Sequence, residues 1–353
     1  MKREDIHVYG GGLSGLISSI NLARNGYEVI VYEKEKRIGG STKCHPSIHM
    51  TPINIEKMEK YIGINIKSCF SKLDIFNGYI NNKKFNFSTK NLFVVERGPR
   101  ESSLDSYLYN LARKEGVKFK FSHPLNKEEL SKIPNNSIIS TAGYSQLVKI
   151  LKQPYITFKQ YDTNMNADIG NISKAYFGNY SSDYGYISGK NGIISAQLSG
   201  SSKLSLNDLN RFIQLVKETE NIELKNWSSI LSYFPKKVQL FKKFLGKTFI
   251  LTGDIAGFLD PYFGFGINGA LISGKIASLC FTSRKKALNE FNKYKSNLNK
   301  NIFLHTLYWH LPFKKYIRKQ AMKFQDRHIL SINNSIPGFS EENWLKIVTI
   351  EHP

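Results

Sequence analysis

The chain has 353 residues, of which 41% are hydrophobic and 22% charged. That size and balance suit two joined globular domains and exclude a single small module, a disordered chain and a polytopic membrane protein. Lys and Arg (50) outnumber Asp and Glu (28) for a formal charge of +22, which favours anionic surfaces but reads equally as a compositional bias of the whole chain.

Residues 6–9 read as a strand, followed by a glycine turn, an amphipathic helix over 13–24 that ends at Gly26, and a second strand over 28–32. That succession is a βαβ unit. Asn-rich turns at Asn81 and Asn82 separate strand-like runs over 73–80 and 84–88, which predicts a hairpin. A helix over 102–114 and strands over 117–121 and 137–140 return the chain to the first unit and close at Thr141, Ala142 and Gly143. Turn-rich alternating stretches over 175–177, 184–187 and 192–198, with a helix near 206–219, predict an antiparallel sheet. From 284 onward the chain reads as helical, broken at Pro312 and Pro337.

The fold expected is therefore α/β: a discontinuous Rossmann-like domain (1–50, 91–150 and 245–290), an antiparallel β-sheet substrate domain (51–90 and 151–244) and a helical C-terminal region (291–353). Cys44, Cys69 and Cys280 are too scattered for a disulfide framework. With no leader pattern and no run of about 20 apolar residues, the expected location is the cytoplasm. Basic Lys314, Lys315, Arg318, Lys319 and Lys323 interleave with Tyr308, Trp309, Phe313, Tyr316 and Phe324, a mixture suited to the inner face of an anionic membrane rather than to base readout. No specific nucleic-acid partner is expected.

Gly10-Gly11-Gly12-Leu13-Ser14-Gly15 satisfies GxGxxG between a strand and a helix. Gly10 permits the tight turn, Gly12 lets backbone amides approach a pyrophosphate, and Gly15 lets helix and strand pack closely. Glu33, ending the second strand, can accept hydrogen bonds from a ribose hydroxyl, and Lys34 follows it. Up to this point the pattern says only dinucleotide. Arg37-Ile38-Gly39-Gly40 resembles the extension found in FAD proteins of the glutathione-reductase-like and p-hydroxybenzoate-hydroxylase-like superfamily. The run 248–257, containing Gly253-Asp254, followed by Pro261, Gly264, Gly266, Ile267 and Asn268, resembles the second FAD segment of the same superfamily. The resemblance implies FAD, with Asp254 toward the ribityl chain and the following helix aimed at the flavin ring.

The order of motifs resembles the FAD-dependent geranylgeranyl reductase family. The similarity extends to Lys43-Cys44, where that family often carries a cysteine beside the flavin, and to Arg97 and Arg100 ahead of 104–108, Ala112 and Gly116. It implies reduction of isoprenoid double bonds on a lipid by hydride from reduced flavin, with electrons from ferredoxin or NAD(P)H. The family's YxWxFP stretch is reduced here to Tyr184-Gly185-Tyr186-Ile187-Ser188, and the superfamily's Asp-Gly motif to Ala142-Gly143. Cys44, Tyr184 and Tyr186 are the candidate catalytic residues; the two tyrosines, two apart on a strand, face one side. His45 and His49 lack a third ligand, so no metal is expected. Two other activities fit the same scaffold: an NAD(P)H- and oxygen-dependent flavin monooxygenase, hydroxylase or epoxidase, and a lycopene-cyclase-like protein without net redox change.

Overall fold

The computed structural model describes residues 5–351 apart from 41–44, 81–82, 143–145, 179, 182, 261–263 and 311–346. The opening unit consists of β1 (Ile6–Tyr9), α1 (Leu13–Arg24) and β2 (Val29–Tyr32). Next come β3 (Ser47–Pro52), α2 (Ile55–Ile62), β4 (Phe70–Lys72), the hairpin β5 (Ile75–Ile80) and β6 (Lys83–Phe87), and β7 (Leu92–Arg97). The chain then returns through α3 (Leu104–Lys114), β8 (Lys118–Lys120), α4 (Lys127–Lys132), β9 (Ile138–Ile139) and the single turn α5 (Leu147–Ile150). A second assembly follows: β10 (Tyr155–Asn166), β11 (Ile172–Phe177), β12 (Gly185–Lys190), β13 (Ile193–Ser201), α6 (Leu206–Glu220) and β14 (Ser228–Pro235). The last elements are β15 (Phe241–Phe244), β16 (Lys247–Leu251), α7 (Ile267–Thr282), α8 (Arg284–His310) and β17 (Ile347–Glu351).

Six strands in the order β15-β16-β9-β1-β2-β8 form the first sheet. Its central pairs, β16 with β9, β9 with β1 and β1 with β2, are all parallel, so both faces must be covered and the strands read as apolar runs. α1 and α7 cover one face. Leu16, Ile17, Ile20 and Leu22 of α1 and Leu271, Ile272 and Ile276 of α7 are fully enclosed, each stabilising the fold by about 1.5–3 kcal/mol. The two helices approach so closely that a Cβ on Gly274 would lie 2.5 Å from the Ser14 carbonyl oxygen. α2, drawn from a stretch the sequence assigns to the sheet domain, buries Met58 and Ile62 in this same first core.

The second sheet runs β14-β10-β13-β12-β11-β5-β6-β17. It is antiparallel apart from β5 and β11, which pair in parallel because the chain between them passes through the first domain. Two departures from the sequence reading occur here. The long strands β10 and β14 were not anticipated, and the expected helical tail ends in a strand, β17, that pairs with β6 at the sheet edge. One face of the sheet packs on α6 through Tyr161, Tyr176, Ile187, Leu198, Leu209, Phe212 and Val216. The alternate residues point the other way. A small third sheet, β3-β7-β4, ties the two assemblies together: Ser195 Oγ on β13 accepts from Ile48 N at 2.7 Å and donates to Ile48 O at 3.0 Å.

Candidate cofactor and substrate site

One cavity of about 660 Å³ lies between the first sheet and the free face of the second, within the size range of cofactor and ligand sites. Gly10, Gly12, Leu13, Ser14, Glu33, Lys34, Gly40, Ala142, Gly253, Asp254, Gly264, Gly266 and Ile267 all contribute to its wall. Gly10 has φ +112°, and a Cβ there would sit 2.0 Å from the Ser140 carbonyl oxygen, so only glycine permits this close approach at the ends of the parallel strands β1 and β9. Gly12 differs: a Cβ on it would meet nothing within 4 Å. The space above it is open and faces the N-terminus of α1.

Among the longer helices whose N-caps are described, capping sets this region apart; the single turn α5 also lacks a side-chain cap. α2, α3, α4 and α6 are capped by the side chains of Asn54, Ser103, Asn126 and Ser205. α1 and α7 instead begin at Gly12 and Gly266, with no side-chain cap, and both ends open into the cavity. Uncapped N–H groups and the positive helix ends form receptors for anionic or electron-rich groups. Glu33 is almost wholly buried. Its Oε2 accepts from Gly11 N at 2.7 Å and its Oε1 from Glu35 N at 2.9 Å. Burial raises its pKa against the pull of those two amides, and each oxygen keeps a lone pair for a sugar hydroxyl. These residues fit FAD: the α1 end for the pyrophosphate, Glu33 for the ribose, and Gly253, Asp254 and the α7 end for the flavin.

Several expected cofactor residues stand elsewhere. Gly15 and Gly39 pack behind the cavity wall: a Cβ on Gly15 would lie 2.1 Å from Gly10 O, and one on Gly39 2.4 Å from Pro99 N. Asn268 donates to Pro52 O at 2.7 Å and holds the start of α7 to β3. Arg37 is exposed. Arg100 turns to Glu96 at 3.3 Å and to Asn191 O at 3.3 Å. Neither arginine lines the cavity. Cys44, Gly143 and Pro261, and most of the basic-aromatic segment after Tyr308, lie outside the described residues.

The opposite wall is the free face of the second sheet. Tyr184, just ahead of β12, and Tyr186 both contribute, their ring centroids 6.3 Å apart, beside Phe76, Phe87 and Phe177. Polar residues that sequence reasoning missed interrupt this aromatic surface. Asp162 on β10 accepts from Gln197 Nε2 at 2.6 Å and Gln160 Nε2 at 2.9 Å; burial raises its pKa to about 6 even though both amides favour the carboxylate. The strap β3 and the residues just ahead of it add His45, Ser47 and His49; the sequence singles out only the two histidines, as an incomplete metal pair. Arg97 forks onto Asp105 at 2.7 and 2.9 Å. Burial disfavours the Asp105 carboxylate, but Arg97 and the Gly98 amide hold it below the usual range. Burial and Arg97 together push His45 down to about 4 and His49 to about 3.

Residues 8–52 match the family model described as an NAD(P)-binding Rossmann-like domain. The chain is 24% identical to the digeranylgeranylglycerophospholipid reductase of Methanococcus vannielii, over 96% of this chain and 92% of that one. Its fold is similar to a geranylgeranyl bacteriochlorophyll reductase-like protein of Thermoplasma acidophilum, with TM-score 0.64 and 16% identity over 96% and 94% of the two chains. It is also similar to CtdE, solved in complex with FAD and a substrate, with TM-score 0.60 and 12% identity over 96% and 94%.

Proposed function

We propose that this chain, an FAD-dependent oxidoreductase similar over 96% of its length to a digeranylgeranylglycerophospholipid reductase, saturates carbon–carbon double bonds in an isoprenoid chain carried by a lipid. The observation that carries the reading is the shared cavity. The two uncapped helix ends that suit FAD and the aromatic face of the second sheet line the same cavity. Bound and reduced, the flavin supplies a hydride. The protein binds and orients the apolar chain between Phe76, Phe87, Phe177 and Tyr184 and keeps water out, which an unactivated alkene demands.

A lipid substrate also accounts for the exposed end of α8. Phe303, Leu304 and Leu307 are 66%, 41% and 50% exposed, next to cavity-lining Ile302. We place the lipid surface there, on the interfacial side of a chain in which no helix among the described residues is long and apolar enough to cross a membrane. Sedimentation with anionic vesicles should carry the protein down, and Phe303→Ser with Leu307→Ser should release most of it. Unchanged binding would remove this contact from the reading.

The decisive experiment reduces the purified yellow protein chemically, adds a geranylgeranylated lipid without oxygen, and weighs the product. Reduction adds two hydrogens per double bond. Substrate-dependent oxygen uptake with NAD(P)H would instead assign a monooxygenase, and an isomer of unchanged mass a cyclase.

A further inference from the structure

Within the cavity one set of side chains is joined atom to atom. His45 Nδ1 lies 2.8 Å from Ser47 Oγ, and Ser47 Oγ lies 2.8 Å from His49 Nε2. The other nitrogen of His49, Nδ1, faces the Tyr186 hydroxyl at 3.5 Å. All four residues line the cavity, and Tyr186 stands among the aromatic residues assigned above to the isoprenoid chain. We propose that His45, Ser47 and His49 form a proton relay ending on Tyr186, whose hydroxyl delivers the proton that completes saturation of the alkene. The inference rests on the reductase reading and extends it to the proton donor.

Three features favour a relay over ordinary packing. A relay member must donate at one atom and accept at another, which a neutral imidazole does and an imidazolium does not. Burial and the Arg97 guanidinium keep both rings neutral, and Asp105, the nearest acid, is occupied by the Arg97 fork. Ser47 is the required connector, because one hydroxyl can accept from one ring while donating to the other. The links also share one direction when both rings carry their proton on Nδ1: His45 Nδ1–H then donates to Ser47 Oγ, Ser47 O–H to His49 Nε2, and His49 Nδ1–H to Tyr186 Oη. The open His49–Tyr186 contact is of the kind that shortens when substrate fills a site.

Asp162, two strands away, is the competing acid. It fits less well, because Gln160 and Gln197 both donate to its oxygens and so favour its unprotonated, accepting form.

The transfer balances. The alkene gains a hydride, with its electron pair, from the two-electron-reduced flavin at one carbon and a proton from Tyr186 at the other. The Tyr186 O–H bond breaks as the new C–H bond forms. His49 Nδ1–H then reprotonates the phenolate oxygen, His49 Nε2 takes the Ser47 proton, and Ser47 takes the proton from His45 Nδ1. Both imidazoles end neutral in their other tautomers, His45 by taking a proton from solvent at Nε2 as its Nδ1 releases one.

The test has two arms. In the first, nitrogen NMR of the histidine rings, without substrate, should show His45 and His49 neutral, each in one tautomer, between about pH 5.5 and 8; Ser47→Ala should abolish the fixed tautomers while flavin still binds. In the second, pre-reduced holoenzyme is mixed with a geranylgeranylated lipid in light and heavy water. Tyr186→Phe should slow saturation by about 100-fold, and Ser47→Ala by about 10-fold with an altered solvent isotope effect. Wild-type rates and isotope effects in both variants would overturn the relay while leaving the reductase reading in place. If even the wild type saturates nothing, the reductase reading fails, and the proton-donor role falls with it. Mixed or charged histidine tautomers in the wild type would likewise overturn the relay.

Discussion

The two walls of the cavity are built on different principles. The first-sheet wall is backbone: glycines with space above them, and helix ends whose N–H groups have no side-chain cap. The facing wall, made by the second sheet and the strap β3, is side chain: an aromatic surface crossed by polar residues held by one another, Asp162 by Gln160 and Gln197, Ser47 by two histidines. A backbone wall suits a cofactor whose phosphates and ring need many amides at fixed places. A side-chain wall can be altered residue by residue, which suits it to the substrate side of the proposed function.

Two substitutions two residues apart on the backbone wall should break that comparison most sharply. Gly12→Val puts a branched side chain into the open space proposed for the pyrophosphate, where a Cβ meets no protein atom within 4 Å. FAD affinity should fall on the order of 1,000-fold, about 4 kcal/mol, with the melting temperature of the flavin-free protein little changed. Gly10→Ala collides with the Ser140 carbonyl at a positive φ and should lower the stability of the flavin-free protein itself. Flavin absorbance after desalting and thermal denaturation of the apoprotein read the two effects separately. Equal loss of both properties in both variants would mean that the Gly12 space is structural.

The same contrast decides how much of the molecule was legible in its sequence. The cofactor wall is written in local signals. Strand, glycine turn, helix and acid follow one another within 33 residues, and α1 spans Leu13–Arg24 as the periodicity requires. The side-chain wall is not local. β10 and β14 were missed because their inward residues include Gln160, Asp162 and Ser232, which break the apolar alternation by which a strand is recognised. The row from His45 to Tyr186 needs a β3–β12 approach that nothing short of the fold supplies. His45 and His49, four apart, suggested only an unfinished metal site. β17 owes its pairing to β6, far away in sequence, and carries no hairpin signal of its own.

Acid should separate neighbouring parts of the side-chain wall. His49 is held neutral, its pKa lowered to about 3 by burial first and by Arg97 and His45 next. The unfolded chain therefore takes up a proton near pH 6.5 that the folded chain refuses, and stability present above that pH is lost as pH falls. For one such histidine the loss between about pH 6.5 and 5 is roughly 1.6 kcal/mol. Asp162 works the other way. Burial raises its folded pKa to about 6, so on acidification the folded chain takes up a proton that an unfolded Asp, at its ordinary 3.8, still refuses. That returns about 1 kcal/mol over the same interval. Denaturant titrations of the flavin-free protein at the two pH values should accordingly show His49→Gln losing less stability than wild type on acidification, and Asp162→Asn losing more. If both variants shift in the same direction, the strap and the sheet respond as one electrostatic unit, and the neutral state of His49 does not come from its own burial beside Arg97.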